Sequence, residues 1–146
     1  MKTPIVVDVS VSAAWVLPDE RNDLAEAVLR RVLSEELHLI LPDIWQLETI
    51  NVLRNAVTRK RLDADEVGYA LDIVDSLPIT FAPCLAEDRR TLMRLTLEHG
   101  LTPYDAAYLH LAQTRRVDLL SADSDLLRLR ARFPWIRALE DFCAPA

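Results

Sequence analysis

The sequence predicts an α/β fold, a mostly parallel central sheet of about five strands flanked by helices. Three observations predict it. Short apolar, β-branched runs alternate with longer stretches of helical period, in the order β-α-β-αα-β-αα-β-α-β. The first run, Ile5-Val6-Val7, is apolar at consecutive positions, as a strand covered on both faces must be. The chain has 146 residues, 51% of them hydrophobic, enough for one domain with a real core and too few for two comfortable ones. Residues 1–146 therefore read as a single domain.

Taken in order, Ile5-Val6-Val7 ends at Asp8. Ser10 and Ser12 then offer helix caps, and a short helical turn through Trp15-Val16-Leu17 stops at Pro18. Residues 22–36 form an amphipathic helix, with Leu24, Val28 and Val32 in one row and Ala25, Leu29 and Leu33 in the next. Residues 37–41 make a second strand, closed by Pro42. Asp43 can cap a long helix running to about Arg59, whose apolar face is Ile44, Leu47, Ile50, Val52, Leu53, Ala56 and Val57. After the link Lys60-Arg61-Leu62, Asp63 to Glu66 reads as a capping box. The helix it opens carries Val67, Ala70, Leu71, Val74 and Leu77 on one face, and so short a link predicts an αα-hairpin. Pro78 ends it, and residues 79–82 form a third strand. A helix from about Leu85 to His99 stops at Gly100, a good C-cap residue. Thr102 then supplies a hydroxyl N-cap, with Pro103 at the first helical position of a helix running to about Arg116. Residues 117–120 make a fourth strand, followed directly by Ser121-Ala122-Asp123. A short helix covers about 124–132, and residues 135–139 make a fifth strand. There is no internal repeat, low-complexity segment or linker.

Composition removes several classes of function. With Gly68 and Gly100 the only glycines, no glycine-rich phosphate loop or GxGxxG turn exists. Cys84 and Cys143 form no CxxC and no zinc spacing, and read as free thiols of a reducing compartment. The apolar run before Asp8 is too short for a signal-peptide core, and no run approaches the length of a membrane span. The expected location is cytoplasmic. The net charge of −6 argues against tight, unaided nucleic-acid binding. The basic residues are nevertheless clustered, as in Arg59-Lys60-Arg61, Arg89-Arg90 and Arg115-Arg116.

Four acids stand out against this background. Asp8 and Asp123 fall just past apolar strands, and Asp105 lies in the first turn of the helix that Thr102 caps. Glu48 is one turn from both Ile44 and Val52, so it projects near the buried side, and Asn51 is near enough to orient it. A carboxylate buried there needs a partner or a cation. In open α/β sheets the active crevice lies outside the carboxyl ends of the strands, and helix starts that follow strand ends lie on the same rim. Each acid has a plainer role of its own: Asp105 as a capping-box acid, Asp8 and Asp123 as caps. Glu48 has the least, since its neighbours at one turn are apolar. Four acids landing independently on one rim point to a bound divalent cation. Mg²⁺ and Mn²⁺ take such hard oxygen ligands, and the ion activates water for in-line attack on a phosphodiester. Ser10 and Ser121 read as caps, or as groups for a metal-bound water or a substrate phosphate. His38, His99 and His110 are scattered and read as structural; Trp15, Trp45 and Trp135 read as core.

Four segments carry a family resemblance. VVDVSVSAAWVLPDE at 6–20, PDIWQLETINVL at 42–53, TPYDAAYL at 102–109 and LLSADSDL at 119–126 resemble, in order, the four acidic blocks of the PIN-domain ribonucleases, and within them of the VapC-type toxins of toxin–antitoxin pairs. The resemblance spans nearly the whole chain. It implies a PIN-like fold and a Mg²⁺- or Mn²⁺-dependent endoribonuclease, dimeric and inhibited by a VapB-type antitoxin. It makes Asp8, Glu48, Asp105 and Asp123 the catalytic, metal-site acids, with Asp8 and Asp105 as direct ligands. It also makes residues 43–77 the part that grips the antitoxin. Ser121 stands where Thr is commoner, and Asp125 adds a further acid beside Asp123, so the division of labour between these two acids stays open.

Two alternatives compete. A catalytically silent RNA- or protein-binding module could use the same fold and the basic helices. A haloacid-dehalogenase-like phosphatase would use Asp8 as nucleophile, but that class wants a second Asp two residues on, where this chain has Ser10.

Overall fold

The three longest strands of the sheet form on short apolar runs of the chain and lie side by side. In the computed structural model, which describes residues 2–145, β1 is Thr3–Val7, β2 is Leu37–Pro42 and β3 is Ile79–Ala82. Two shorter strands, β4 (Leu119–Leu120) and β5 (Ile136–Arg137), extend the sheet on the other side of β1. The order is β3-β2-β1-β4-β5 and every pairing is parallel. β1 is thus central, and Val6 and Val7 are wholly buried, which explains why its sequence shows no alternation. Because all strands point the same way, their carboxyl ends share one edge, with the order reversing beside β1.

Among the described residues eight helices flank the sheet: α1 (Val9–Val16), α2 (Asp23–Leu33), α3 (Ile44–Thr58), α4 (Val67–Ser76), α5 (Arg89–His99), α6 (Pro103–Arg115), α7 (Ser124–Leu127) and α8 (Leu139–Phe142). Among the described residues no helix is long and apolar enough to cross a membrane. α6 packs on β1, β2 and β4 and carries α5 against it, while α2 packs on β2 beside α1. Gly100 ends α5 with φ of +66°, a left-handed conformation that costs a residue with a Cβ more than it costs glycine. Thr102 Oγ1 accepts the Asp105 N–H at 3.1 Å and so starts α6 as expected.

Several local expectations give way to tertiary packing. α1 begins directly after Asp8, so Ser10 and Ser12 lie inside the helix and do not cap it. Ser12 instead accepts the Trp45 indole N–H at 2.9 Å. In α3 the buried stripe is Trp45, Thr49, Leu53 and Ala56, while Leu47 and Ile50, expected inside, are 64% and 55% exposed. This helix is apolar around most of its girth, so periodicity alone does not choose the face; contact with α1 does. Neither Asp43 nor Asp63 makes a side-chain cap bond, and residues 64–66 form a 3₁₀ turn before α4. α3 and α4 are joined by the short link, yet each packs on α1. Between them an open groove of about 350 Å³ is lined by Ile50, Leu53, Val57, Val67 and Leu71. Arg61, read as part of a basic cluster, is engaged by Asp19 at 2.7 Å and Glu20 at 3.3 Å. The two thiols are free.

Candidate metal centre

Asp8 is the first residue past β1, and its N–H donates to the Leu120 carbonyl at 2.9 Å, which pins it to β4. Its side chain is buried, at 2% exposure. Asp123 is the N-cap of α7, three residues past β4, and Asp105 sits in the first turn of α6. One carboxylate oxygen from each of Asp8, Asp105 and Asp123 lies within 4.8 Å of the others. Among the described residues no other group of His, Cys, Asp and Glu side chains converges in this way. Glu48 is not part of that set. It stands alongside, half-buried on α3, close enough for its charge to act on Asp105 and for the charge of Asp8 to act on it.

Two serines hold Asp8. Ser10 Oγ donates to Asp8 Oδ2 at 2.8 Å and Ser121 Oγ donates to the same oxygen at 2.9 Å. Each hydroxyl is held in turn by a backbone N–H from the loop after β4: Ala122 N–H donates to Ser10 Oγ at 2.9 Å and Asp123 N–H to Ser121 Oγ at 3.0 Å. Both hydroxyl protons are therefore spent on Oδ2. Ser10 and Ser121, read as caps or phosphate binders, act as clamps on the buried acid. The loop that carries Asp123 is the same loop that orders the clamp.

The electrostatics follow from crowding like charges in a half-buried crevice. Burial raises the Asp8 carboxyl above its usual value; the two serine hydroxyls pull it back, and Asp123 raises it again. Burial also raises Glu48, offset by the Tyr108 hydroxyl, with Asp8 adding to the rise. Asp105 is pushed up to about 7 by burial, then by the charges of Asp123, Asp8 and Glu48. None of the four acids forms an ion pair with Lys, Arg or His among the described residues. The cluster is an uncompensated set of hard oxygen donors, the environment that a divalent cation relieves.

Asp125, the open question beside Asp123, is exposed and faces Arg128 at 3.8 Å, while its N–H donates to Asp123 Oδ1 at 2.8 Å. It supports Asp123 through its backbone and its carboxylate lies outside the cluster. Asp105 returns no bond to the Thr102 N–H, so the capping-box role is not what occupies its carboxylate. Asn51 is exposed and does not orient Glu48. The group that does is Tyr108, whose hydroxyl donates to Glu48 Oε1 at 2.7 Å. The sequence offered one signal for it: Tyr108 lies one turn after Asp105 on the same helix. The histidines lie elsewhere: His110 bonds Asp88 at 2.9 Å, His38 meets Thr80 at 2.7 Å, and His99 packs edge-on to Phe133.

Comparison with known proteins identifies the family and the fold. The family described as PIN domain matches residues 5–132. Ribonuclease VapC3 from Pyrobaculum aerophilum is 33% identical over 123 residues, which cover 84% of this chain and 91% of that one. Among solved structures, PAE2754 from Pyrobaculum aerophilum has the same fold, with a TM-score of 0.66 at 22% identity, covering 97% of this chain and 95% of that one.

Proposed function

The chain belongs to the PIN-domain family, in its VapC-type group, and from that premise we propose that it is a divalent-metal-dependent endoribonuclease, the toxin of a toxin–antitoxin pair. The observation that carries the proposal is the convergence of Asp8, Asp105 and Asp123 within 4.8 Å, with no cationic partner among the described residues. RNA as the substrate is supported by the relative that is a ribonuclease. The family assignment sets the phosphatase alternative aside.

In this reading Asp8, Asp105 and Asp123 hold the ion, and Mg²⁺ or Mn²⁺ suits an all-oxygen donor set. When bound, such an ion activates water and neutralises charge on the phosphodiester. Ser10 and Ser121 keep Asp8 in one orientation, so that its carboxylate would meet the ion already ordered. Asp105, whose carboxyl is pushed up to about 7, would give up a proton to hold the ion. Glu48 supplies the fourth negative charge from α3 and completes the four-acid site. Inhibition by a VapB-type antitoxin is assigned to the α3–α4 groove, an apolar trough lined by the exposed Ile50 and Leu71. The working unit is proposed to be a homodimer.

The test is cleavage of a structured RNA by the purified protein, freed of any partner, in Mg²⁺, Mn²⁺ or EDTA, with Asp105→Asn in parallel. Cuts that require metal and vanish in the variant are expected. Cuts that persist in EDTA or in Asp105→Asn would sink the four-acid mechanism. No cuts and no metal binding by the wild type would leave a silent binding module.

A further inference from the structure

Tyr108 is wholly buried on α6, one turn from Asp105, and its hydroxyl reaches across to the carboxylate of Glu48 on α3 at 2.7 Å. We infer that Tyr108 is a positioning residue for the site: its hydroxyl fixes Glu48 beside the three aspartates without cancelling the charge of Glu48. The inference rests on the metal-site reading above and adds to it a residue that is not one of the four acids.

Three features of the geometry support it. First, α6 delivers both Asp105 to the cluster and the phenol that holds the fourth acid, so one rigid element sets the spacing of both. Second, the donor is neutral. A Lys or Arg in its place would hold Glu48 equally well and would neutralise part of the field that attracts a cation. Third, the bond takes one oxygen of Glu48. Among the described residues no other group donates to that carboxylate, so Oε2 is left for an ion or its water. A phenol that merely needed a buried partner would be satisfied by any backbone carbonyl. This one selects the single half-buried carboxylate next to the cluster.

The test is a double-mutant cycle with Tyr108→Phe and Glu48→Gln, read in two ways on the full chain. Calorimetric titration with Mn²⁺ is the first readout. Removing a group that orients a metal-site carboxylate typically costs roughly tenfold or more in affinity. Tyr108→Phe is therefore expected to weaken Mn²⁺ binding about tenfold, Glu48→Gln at least as much, and the pair no more than Glu48→Gln alone. The second readout is RNA cleavage, where Tyr108→Phe lowers kcat and leaves KM for RNA unchanged. Phe keeps the ring, so the core stays filled and circular dichroism should match the wild type. Unchanged Mn²⁺ affinity in Tyr108→Phe would overturn the inference, as would losses that multiply in the double variant. If the wild type cleaves no RNA, the nuclease reading fails by itself, and the Mn²⁺ cycle still decides the role of Tyr108.

Discussion

Asp105 concentrates the conflict built into this site. Its carboxyl belongs at 3.8 in an open chain and stands at about 7 in the fold. The sign of the consequence follows by linkage. Below about pH 4 both folded and unfolded chains hold the proton; as pH rises toward 7 the unfolded chain loses it first, so the stabilisation present at low pH is lost. Asp8 and Glu48 are raised in the same direction. In EDTA, the wild type should lose stability to urea as pH goes from about 5 to about 8, and Asp105→Asn should lose less. A variant that keeps the full pH slope would mean Asp105 is not the group responsible. Metal affinity runs the other way and should rise with pH through about 7, because the ion must displace that proton. Titration of Mn²⁺ at several pH values checks it.

Elements place these residues, and the start of α6 matters most among them. Gly100 turns the chain out of α5 in the left-handed region, and Arg128, just past α7, donates to the His99 carbonyl at that turn. Thr102 then caps α6, with Pro103 fixing the first turn that holds Asp105. Thr102→Ala should cost about 1 kcal/mol of stability, the usual worth of a hydroxyl N-cap. It should also weaken Mn²⁺ binding, since the lost bond goes to the Asp105 N–H itself. Urea unfolding and metal titration of one variant give both numbers, and an unchanged midpoint would make the cap dispensable. The pair α3 and α4 follows a different logic. Spacing alone puts Leu47, Ile50 and Leu71 in the core, yet all three are exposed, and Ile50 and Leu71 line a groove, because α1 packs on the other faces.

At the scale of the whole molecule, the centre is a local surplus of negative charge in a chain of net −6. Binding of a divalent ion to the folded state alone should stabilise it by about 2.7 kcal/mol at a hundredfold excess over Kd. For a chain of this size that is a rise in Tm of several degrees. Mg²⁺ or Mn²⁺ should raise Tm for the wild type and leave Asp8→Asn unmoved; an equal rise in both would place the ion elsewhere. The sequence by itself determined the parallel α/β class, because consecutive apolar β-branched runs separated by helical stretches have few other solutions. It also marked the four acids, since strand ends and helix starts share one rim in that class. Gly100 and Thr102 were legible as helix punctuation because their chemistry is local. The rest was decided by tertiary structure. Which stripe of α3 is buried, and that Asp123 enters the cluster while Asp125 faces out, depend on elements far apart in the chain. So do the roles of Ser10 and Ser121 as clamps on Asp8 and of Tyr108 as the partner of Glu48. Hydrogen bonds across 60 or more positions leave no periodicity in a sequence, and only the packed helices and strands bring their donors and acceptors within reach.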